Sequence, residues 1–263
     1  MAAAPDEETV SVRREGAVAV VELRRERKLN ALSTAMEERL DAAVASADVR
    51  ESRCVVFAGG ARAFSAGADV TEFRDADAAS VAAYYAGTGG VYERIARLPQ
   101  PTLAAVSGYC LGGGLELALA ADIRIACPSA DFGLPEAGLG IIPSSGGVLR
   151  LTRAVGPARA KELILRGRRF GADEAHAIGL VAEVADDARA RALEIAAELA
   201  ARPPLALRTA KATIDLAAES SREAAVLMEQ LAYGMLAQTP EAQDAATAFA
   251  EKRESGSDPE RRR

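Results

Sequence analysis

Apolar and polar positions follow two different rhythms along this 263-residue chain. In the first half, short β-branched runs bounded by charge or glycine, "AVAVVEL" at 17–23 and "RCVVFAGG" at 53–60, predict strands. Between them "STAMEERLDAAVASA" reads as a helix, with Thr34 and Glu37 spaced as a capping box. "PTLAAVSGY" at 101–109 and "ADIRIAC" at 121–127 predict further strands, separated by the apolar turn-and-helix "GGGLELALA". Strands alternating with helices in this way predict an α/β fold with largely parallel pairing. Beyond about residue 150 the rhythm turns helical. "GPARAKELILRG" has Pro157 just inside a helix and Gly167 at its close, and "DARARALEIAAELAA" stops at Pro203-Pro204. Three more helical stretches follow, the last, "TPEAQDAATAFAEKRE", capped by Thr239 with Pro240 as its first helical residue. The final third therefore reads as all helix, a form suited to oligomer contact. The first eight residues and the terminal "SGSDPERRR" read as disordered. No repeat of fixed period is visible.

Composition narrows the chemistry. The chain is 49% hydrophobic and 27% charged, as soluble globular proteins are, and its formal charge of −6 gives no support to nucleic-acid binding. No apolar run approaches the roughly 20 residues that span a bilayer, and "MAAAPDEETV" lacks a basic start and an apolar core. The three cysteines, Cys54, Cys110 and Cys127, are scattered and form no CxxC pair, which points to a reducing compartment and away from a zinc site. The expected location is the cytoplasm. His176 is the single histidine and sits in an alanine-rich helical stretch, where a structural role is expected. Acid–base work then falls to carboxylates, Tyr, Lys or Cys.

Three glycine-rich stretches stand out. In "AFSAGADVTEF" (63–73) and "YCLGGGLELALAADIRIAC" (109–127), small residues follow a strand and leave backbone amides uncovered. Amides of this kind can hold a developing oxyanion, at roughly 3–4 kcal/mol each in a dry site. Glycine-rich turns also simply turn the chain, and neither stretch fits a nucleotide fingerprint. The third stretch, "FGLPEAGLGIIPSSGG" (132–147), carries Glu136, twenty positions after Glu116. Carboxylates in apolar settings have raised pKa values and suit proton transfer near neutrality. The plain alternatives are a helix-surface Glu116 paired with Arg124 and a solvated loop position for Glu136.

Taken together, "RERKLNALS" (25–33), "AFSAGADV" (63–70), "GYCLGGGLELALAADIRIA" (108–126) and "FGLPEAGLGIIPSSGG" (132–147) resemble the crotonase, or enoyl-CoA hydratase/isomerase, superfamily. The resemblance runs from about residue 10 to "FAEKR" at 249–253. It implies a spiral core of repeated ββα units over 9–200 and a helical trimerisation region over 201–263. It further implies acyl-CoA substrates, an enolate held by the amides of Ala68 and Gly113, and a two-glutamate hydratase adding water syn to a trans-2-enoyl-CoA. By that resemblance Glu136 delivers the α-proton and Glu116 activates the water, with the Ser144 backbone helping to hold it. CoA contacts carry over to Lys28, Leu29, Ala31, Ala66, Ala68, Asp69 and Ser144, and to Phe249 and Lys252 reaching a neighbouring subunit. Glu26, Thr71 and Ser144 stand where many members have proline, lysine and glycine. No metal and no cofactor apart from the substrate's own CoA is implied, and the expected assembly is a homotrimer or a dimer of trimers. The alternatives are a Δ3–Δ2 isomerase, a hydratase for a specialised acyl group, and a non-catalytic RNA-binding or scaffold relative. Retention of both glutamates and the acidic charge count against the last.

Overall fold

The computed structural model describes residues 9–69, 72 and 77–254. The strands are β1 (Val10–Glu15), β2 (Val18–Leu23), β3 (Cys54–Ala58), β4 (Ala63–Ser65), β5 (Thr102–Val106), β6 (Tyr109–Leu111), β7 (Ile123–Ala126), β8 (Asp131–Gly133), β9 (Phe170–Gly171) and β10 (Glu183–Val184). The first helices are α1 (Thr34–Val44), α2 (Ala47–Arg50), α3 (Ala78–Ala86), α4 (Val91–Ala96), α5 (Gly113–Ala120) and α6 (Gly147–Arg166). They are followed by α7 (Ala172–Ala177), α8 (Ala188–Ala200), α9 (Pro204–Ala217), α10 (Arg222–Leu236) and α11 (Pro240–Glu254).

Two sheets are formed. One runs β1-β2-β3-β5-β7-β10 and the other β4-β6-β8-β9. Only β1–β2 and β8–β9 are antiparallel; the other pairs are parallel, as the alternation of strand and helix predicts. The stretch 101–109, which reads as one strand, is two. Gly108 breaks it at φ +59°, where a Cβ would stand 2.0 Å from the Arg62 carbonyl oxygen. The chain thereby leaves the first sheet after β5 and enters the second as β6. The same switch takes β3 to β4 and β7 to β8, so that strand–strand–helix units recur without a sequence repeat.

Two apolar cores flank the first sheet. On one side Val21, Phe57, Ala104 and Val106 pack with α1, α5 and the second sheet's Phe64, Cys110 and Phe132. On the other, Val18, Val56, Leu103 and Ile125 meet Ala188, Ala192, Ala196 and Ala200, a four-residue stripe of small side chains along α8. By contacts the chain divides into two compact units, Met1–Ala200 and Ala201–Arg263. In the second unit α9 and α10 pack on one another. Its helices bear exposed apolar residues, among them Ile214, Leu231, Tyr233 and Met235.

Several expectations need correction. The final third is not all helix, because β9 and β10 interrupt it with two residues each. The helix opened by Pro157 continues an earlier one, with a kink at Gly156 (φ +77°) between them. On α1 the cap is Ser33 rather than Thr34, its hydroxyl accepting the Met36 N–H at 3.3 Å, so Glu37 closes no capping box. The terminal stretches 1–8 and 255–263, and Thr71, lie outside the described residues.

Candidate active site

The second sheet sets out the site. Strands β4, β6 and β8 are parallel neighbours, and each releases a functional group within three residues of its C-terminal end: Ala68, Gly113 and Glu136. Neighbouring strands lie about 4.8 Å apart. A turn after each of three adjacent strands therefore places the three groups side by side.

Each of the three consecutive glycines has its own cause. Gly112 adopts φ +50°, and a Cβ there would meet Glu136 Oε1 at 2.9 Å. A Cβ on Gly114 would stand 2.3 Å from the Ser65 carbonyl oxygen, so α5 packs on β4 only without a side chain. At Gly113 a Cβ would meet nothing closer than 3.4 Å, but its neighbours there are the Ala68 N and the Tyr92 hydroxyl. It would occupy the space in front of the Ala68 amide. Gly113 is the first residue of α5, where N–H groups have no intrahelical acceptor and face the positive end of the helix dipole. Neither the Ala68 nor the Gly113 N–H has a hydrogen-bond acceptor among the described residues.

The Ala68 turn is held from outside by the "RERKLNAL" loop. There Leu29 and Asn30 take left-handed φ values of 51° and 53°. The buried Asn30 amide donates to the carbonyls of Ala63 (3.0 Å) and Phe64 (3.1 Å), and its Oδ1 accepts the Arg25 N–H at 2.7 Å. The Ala66 N–H donates to Leu29 O at 2.9 Å, Leu32 N–H to Gly67 O at 2.8 Å, and Asp69 N–H to Leu32 O at 2.8 Å. Arg25 Nη1 ties the Ala31 carbonyl (2.9 Å) to the Asp69 carboxylate (3.0 Å). Leu29, Ala31, Ala66, Ala68 and Asp69 are thus brought to one place. Lys28 is exposed beside them, and the Glu26 carboxylate lies over Gly60.

Glu116 is no surface carboxylate. It is 4% exposed, and its Oε1 accepts the N–H groups of Ser145 (2.7 Å) and Gly147 (2.9 Å). Burial raises its pKa, while those amides, the Arg150 charge and the Ser144 amide pull it down. Arg124 does not pair with it; that guanidinium donates to the carbonyls of Leu180, Ala118 and Ala121. The cradle is braced by Arg150, which donates to Ser145 O at 2.8 Å and pairs with Glu93. Glu136, in a 3₁₀ turn over Pro135–Leu139, is half-buried. Burial pushes its pKa up to about 7, against its own backbone amide and with help from the Glu116 charge. Its Oε2 is buried without a hydrogen-bond partner among the described residues. An unpaired buried carboxylate oxygen is costly, and it is the atom a substrate proton or water would satisfy.

His176 stands apart from this site, its Nδ1 3.1 Å from the Val181 carbonyl oxygen. Phe249 is exposed on α11 of the second unit, and the side chain of Lys252 is outside the described residues. Arg25 and Arg150 were not legible as site residues in the sequence, because each acts through a partner distant along the chain, Asp69 and Glu93.

Paired backbone donors beside two carboxylates, one with a pKa near 7, can accept an anion and exchange protons with it. The chain belongs to the enoyl-CoA hydratase/isomerase family, whose model matches residues 13–257. It is 40% identical over 249 residues to a Mycobacterium tuberculosis protein named probable enoyl-CoA hydratase echA8, covering 94% of this chain and 96% of that one. It is 38% identical to the short-chain-enoyl-CoA hydratase of Clostridium acetobutylicum, over 93% of this chain and 95% of the relative. Among solved structures, an enoyl-CoA hydratase from Bacillus anthracis superposes with a TM-score of 0.86 at 38% identity, covering 93% and 96% of the two chains.

Proposed function

We propose that the protein is an enoyl-CoA hydratase that adds water reversibly and syn across a trans-2-enoyl-CoA to give a 3-hydroxyacyl-CoA. The observation that carries this reading is the pair of carboxylates, Glu116 buried and cradled by amides and Glu136 half-buried with one oxygen unpartnered among the described residues. The thioester oxygen accepts from the Ala68 and Gly113 amides, which stabilise the negative charge it gains as water attacks. Glu116, its Oε1 fixed by the loop amides, orients the water through its remaining lone pairs and takes a proton as the new C–O bond forms. Glu136 gives its proton to the α-carbon, a task suited to a carboxyl with a pKa near 7. The pair holds one proton before and after, and a net transfer between the two residues is undone by exchange with solvent.

Residues Lys28, Leu29, Ala31, Ala66, Asp69 and Ser144 are assigned to the CoA side on the same reading, together with Phe249 and Lys252 from a neighbouring copy. No cofactor besides the CoA of the substrate enters the mechanism. The assembly is read as a homotrimer or dimer of trimers, supported by the exposed apolar faces of the second unit. The location is read as cytoplasmic; among the described residues no helix is long and apolar enough to cross a membrane.

Mass spectrometry of the purified protein incubated with trans-2-enoyl-CoAs from crotonyl upward tests the reaction. A product heavier by one water is expected. Conversion of a 3-enoyl-CoA at unchanged mass, with no hydration anywhere in the panel, would replace the hydratase by an isomerase.

A further inference from the structure

Helix α6 begins against the Glu116 cradle and supplies a cation to which the reaction above gives no part. Arg150, in the first turn of that helix, folds its guanidinium back over the chain that precedes it. Nη1 donates to the Ser145 carbonyl at 2.8 Å, and Nη2 donates to Glu93 Oε2 on α4 at 2.5 Å. The arginine side chain is 12% exposed and its carboxylate anchor 53%. Under the guanidinium lies Gly146, in the left-handed region at φ +93°, where a Cβ would fall on the Arg150 side chain.

The carbonyl that Arg150 grips belongs to the middle one of three consecutive peptide units. The units on either side carry the Ser145 and Gly147 N–H groups, the two that converge on Glu116 Oε1. The last of the three is held as well, its Gly146 carbonyl accepting the Arg150 N–H at 2.9 Å. One residue thus fixes the loop that aims the carboxylate. It also brings charge: burial drives Glu116 toward its neutral form, and the two amides and the Arg150 cation oppose that. Glu136, Glu37 on α1, Tyr84 on α3 and Tyr92 on α4 also stand within electrostatic reach of Glu116, and none of them is a cation. A group that takes a proton from water has to be ionised first.

We propose that Arg150, anchored by Glu93, is a positioning residue for the water-activating step alone: it holds the loop that aims Glu116 and takes no part in proton transfer at the α-carbon. This rests on the hydratase reading above. The division follows from where the contacts lead. Those of Arg150 run to the Ser145–Gly147 loop and to α4, whereas Glu136 is carried on a separate turn, Pro135–Leu139.

The test compares two reactions of one protein. Hydration of crotonyl-CoA needs both glutamates. Exchange of the α-protons of butyryl-CoA with heavy water, followed by NMR, needs Glu136 and the two amides but not Glu116. In Arg150→Met, kcat for hydration should fall about 10–100-fold with KM within about twofold, while exchange stays within about threefold of wild type. A merely structural role would slow both reactions alike. The acid limb of the hydration profile should also move up by about one pH unit, because Glu116 loses a favourable charge and takes its proton sooner as pH falls. Arg150→Lys keeps a positive charge and should return that limb toward its wild-type position. If Arg150→Met does not fold, Glu93→Gln, at a half-exposed position, decides: it should lower hydration about threefold or more and spare exchange. Hydration at the wild-type rate, equal loss of both reactions, or an acid limb that stays in place overturns the proposal. A wild type that exchanges the α-proton but hydrates no enoyl-CoA overturns the hydratase reading, and the step assigned to Arg150 falls with it.

Discussion

Replacing Glu136 with glutamine removes the proposed proton donor and also a charge that the fold holds at a cost. Burial is the main reason its carboxyl moves from the ordinary 4.5 to about 7, with the Glu116 charge adding to the rise. The folded value lies above the unfolded one, so the folded state binds the proton more tightly. The stability tied to that proton is fully present below about pH 4.5 and is lost as pH rises through about 7. At about 1.4 kcal/mol per pH unit, the full loss would be about 3 kcal/mol. Glu136 is only half-buried, and solvent screening reduces this to about 1–2 kcal/mol. Glu136→Gln has no such loss. Its Tm relative to wild type should therefore climb by about 2–8 °C between pH 5 and pH 8. Thermal melts of both proteins across that range, at fixed ionic strength, read the difference directly. Hydration should fall by about 10²–10⁴-fold in the same variant. A Tm difference that stays constant from pH 5 to pH 8 would refute the argument, because it would mean Glu136 titrates alike in the folded and unfolded chain.

Two further tests address the reaction centre. Gly113→Ala should fold, since its methyl meets nothing closer than 3.4 Å, yet lose about 10²–10³-fold in kcat/KM by covering the Ala68 amide. Gly114→Ala should do the reverse damage: its methyl would lie 2.3 Å from Ser65 O, and a loss of about 3 kcal/mol in stability is expected. Melting curves and steady-state kinetics separate the two, and a stable, active Gly114→Ala would contradict the packing. The second test is the pH profile. Hydration neither consumes nor releases a proton overall, so kcat/KM in the two directions must vary with pH in the same way. Both should fall about tenfold per unit above about pH 7, as the single proton of the Glu116–Glu136 pair is lost. A rate that rises through that range would remove Glu136 as the donor.

The parallel strands of the first sheet were legible in the sequence because β2, β3 and β5 are largely buried apolar runs with clear punctuation, and β7 keeps an apolar residue on either side of Arg124. The second sheet was not. Its strands β4, β6 and β8 have three residues each, too few for a period to emerge, and β6 hides behind a Gly108 that reads like an interior residue. The glycine turns and both glutamates were found through their motifs. Glu37 was misread for a physical reason: spacing from Thr34 suggests a local cap, whereas two tyrosine hydroxyls from distant helices are the partners it takes. A contact made by three helices leaves no periodic trace in any of them.

The arrangement of groups at the ends of β4, β6 and β8 has a practical consequence. Both uncovered amides belong to the main chain and inherit the spacing of a hydrogen-bond ladder, whereas Glu116 and Glu136 are side chains carried on separate turns. Substituting a side chain can therefore remove a carboxylate, as in Glu136→Gln, while the distance between the two amides stays set by strand pairing.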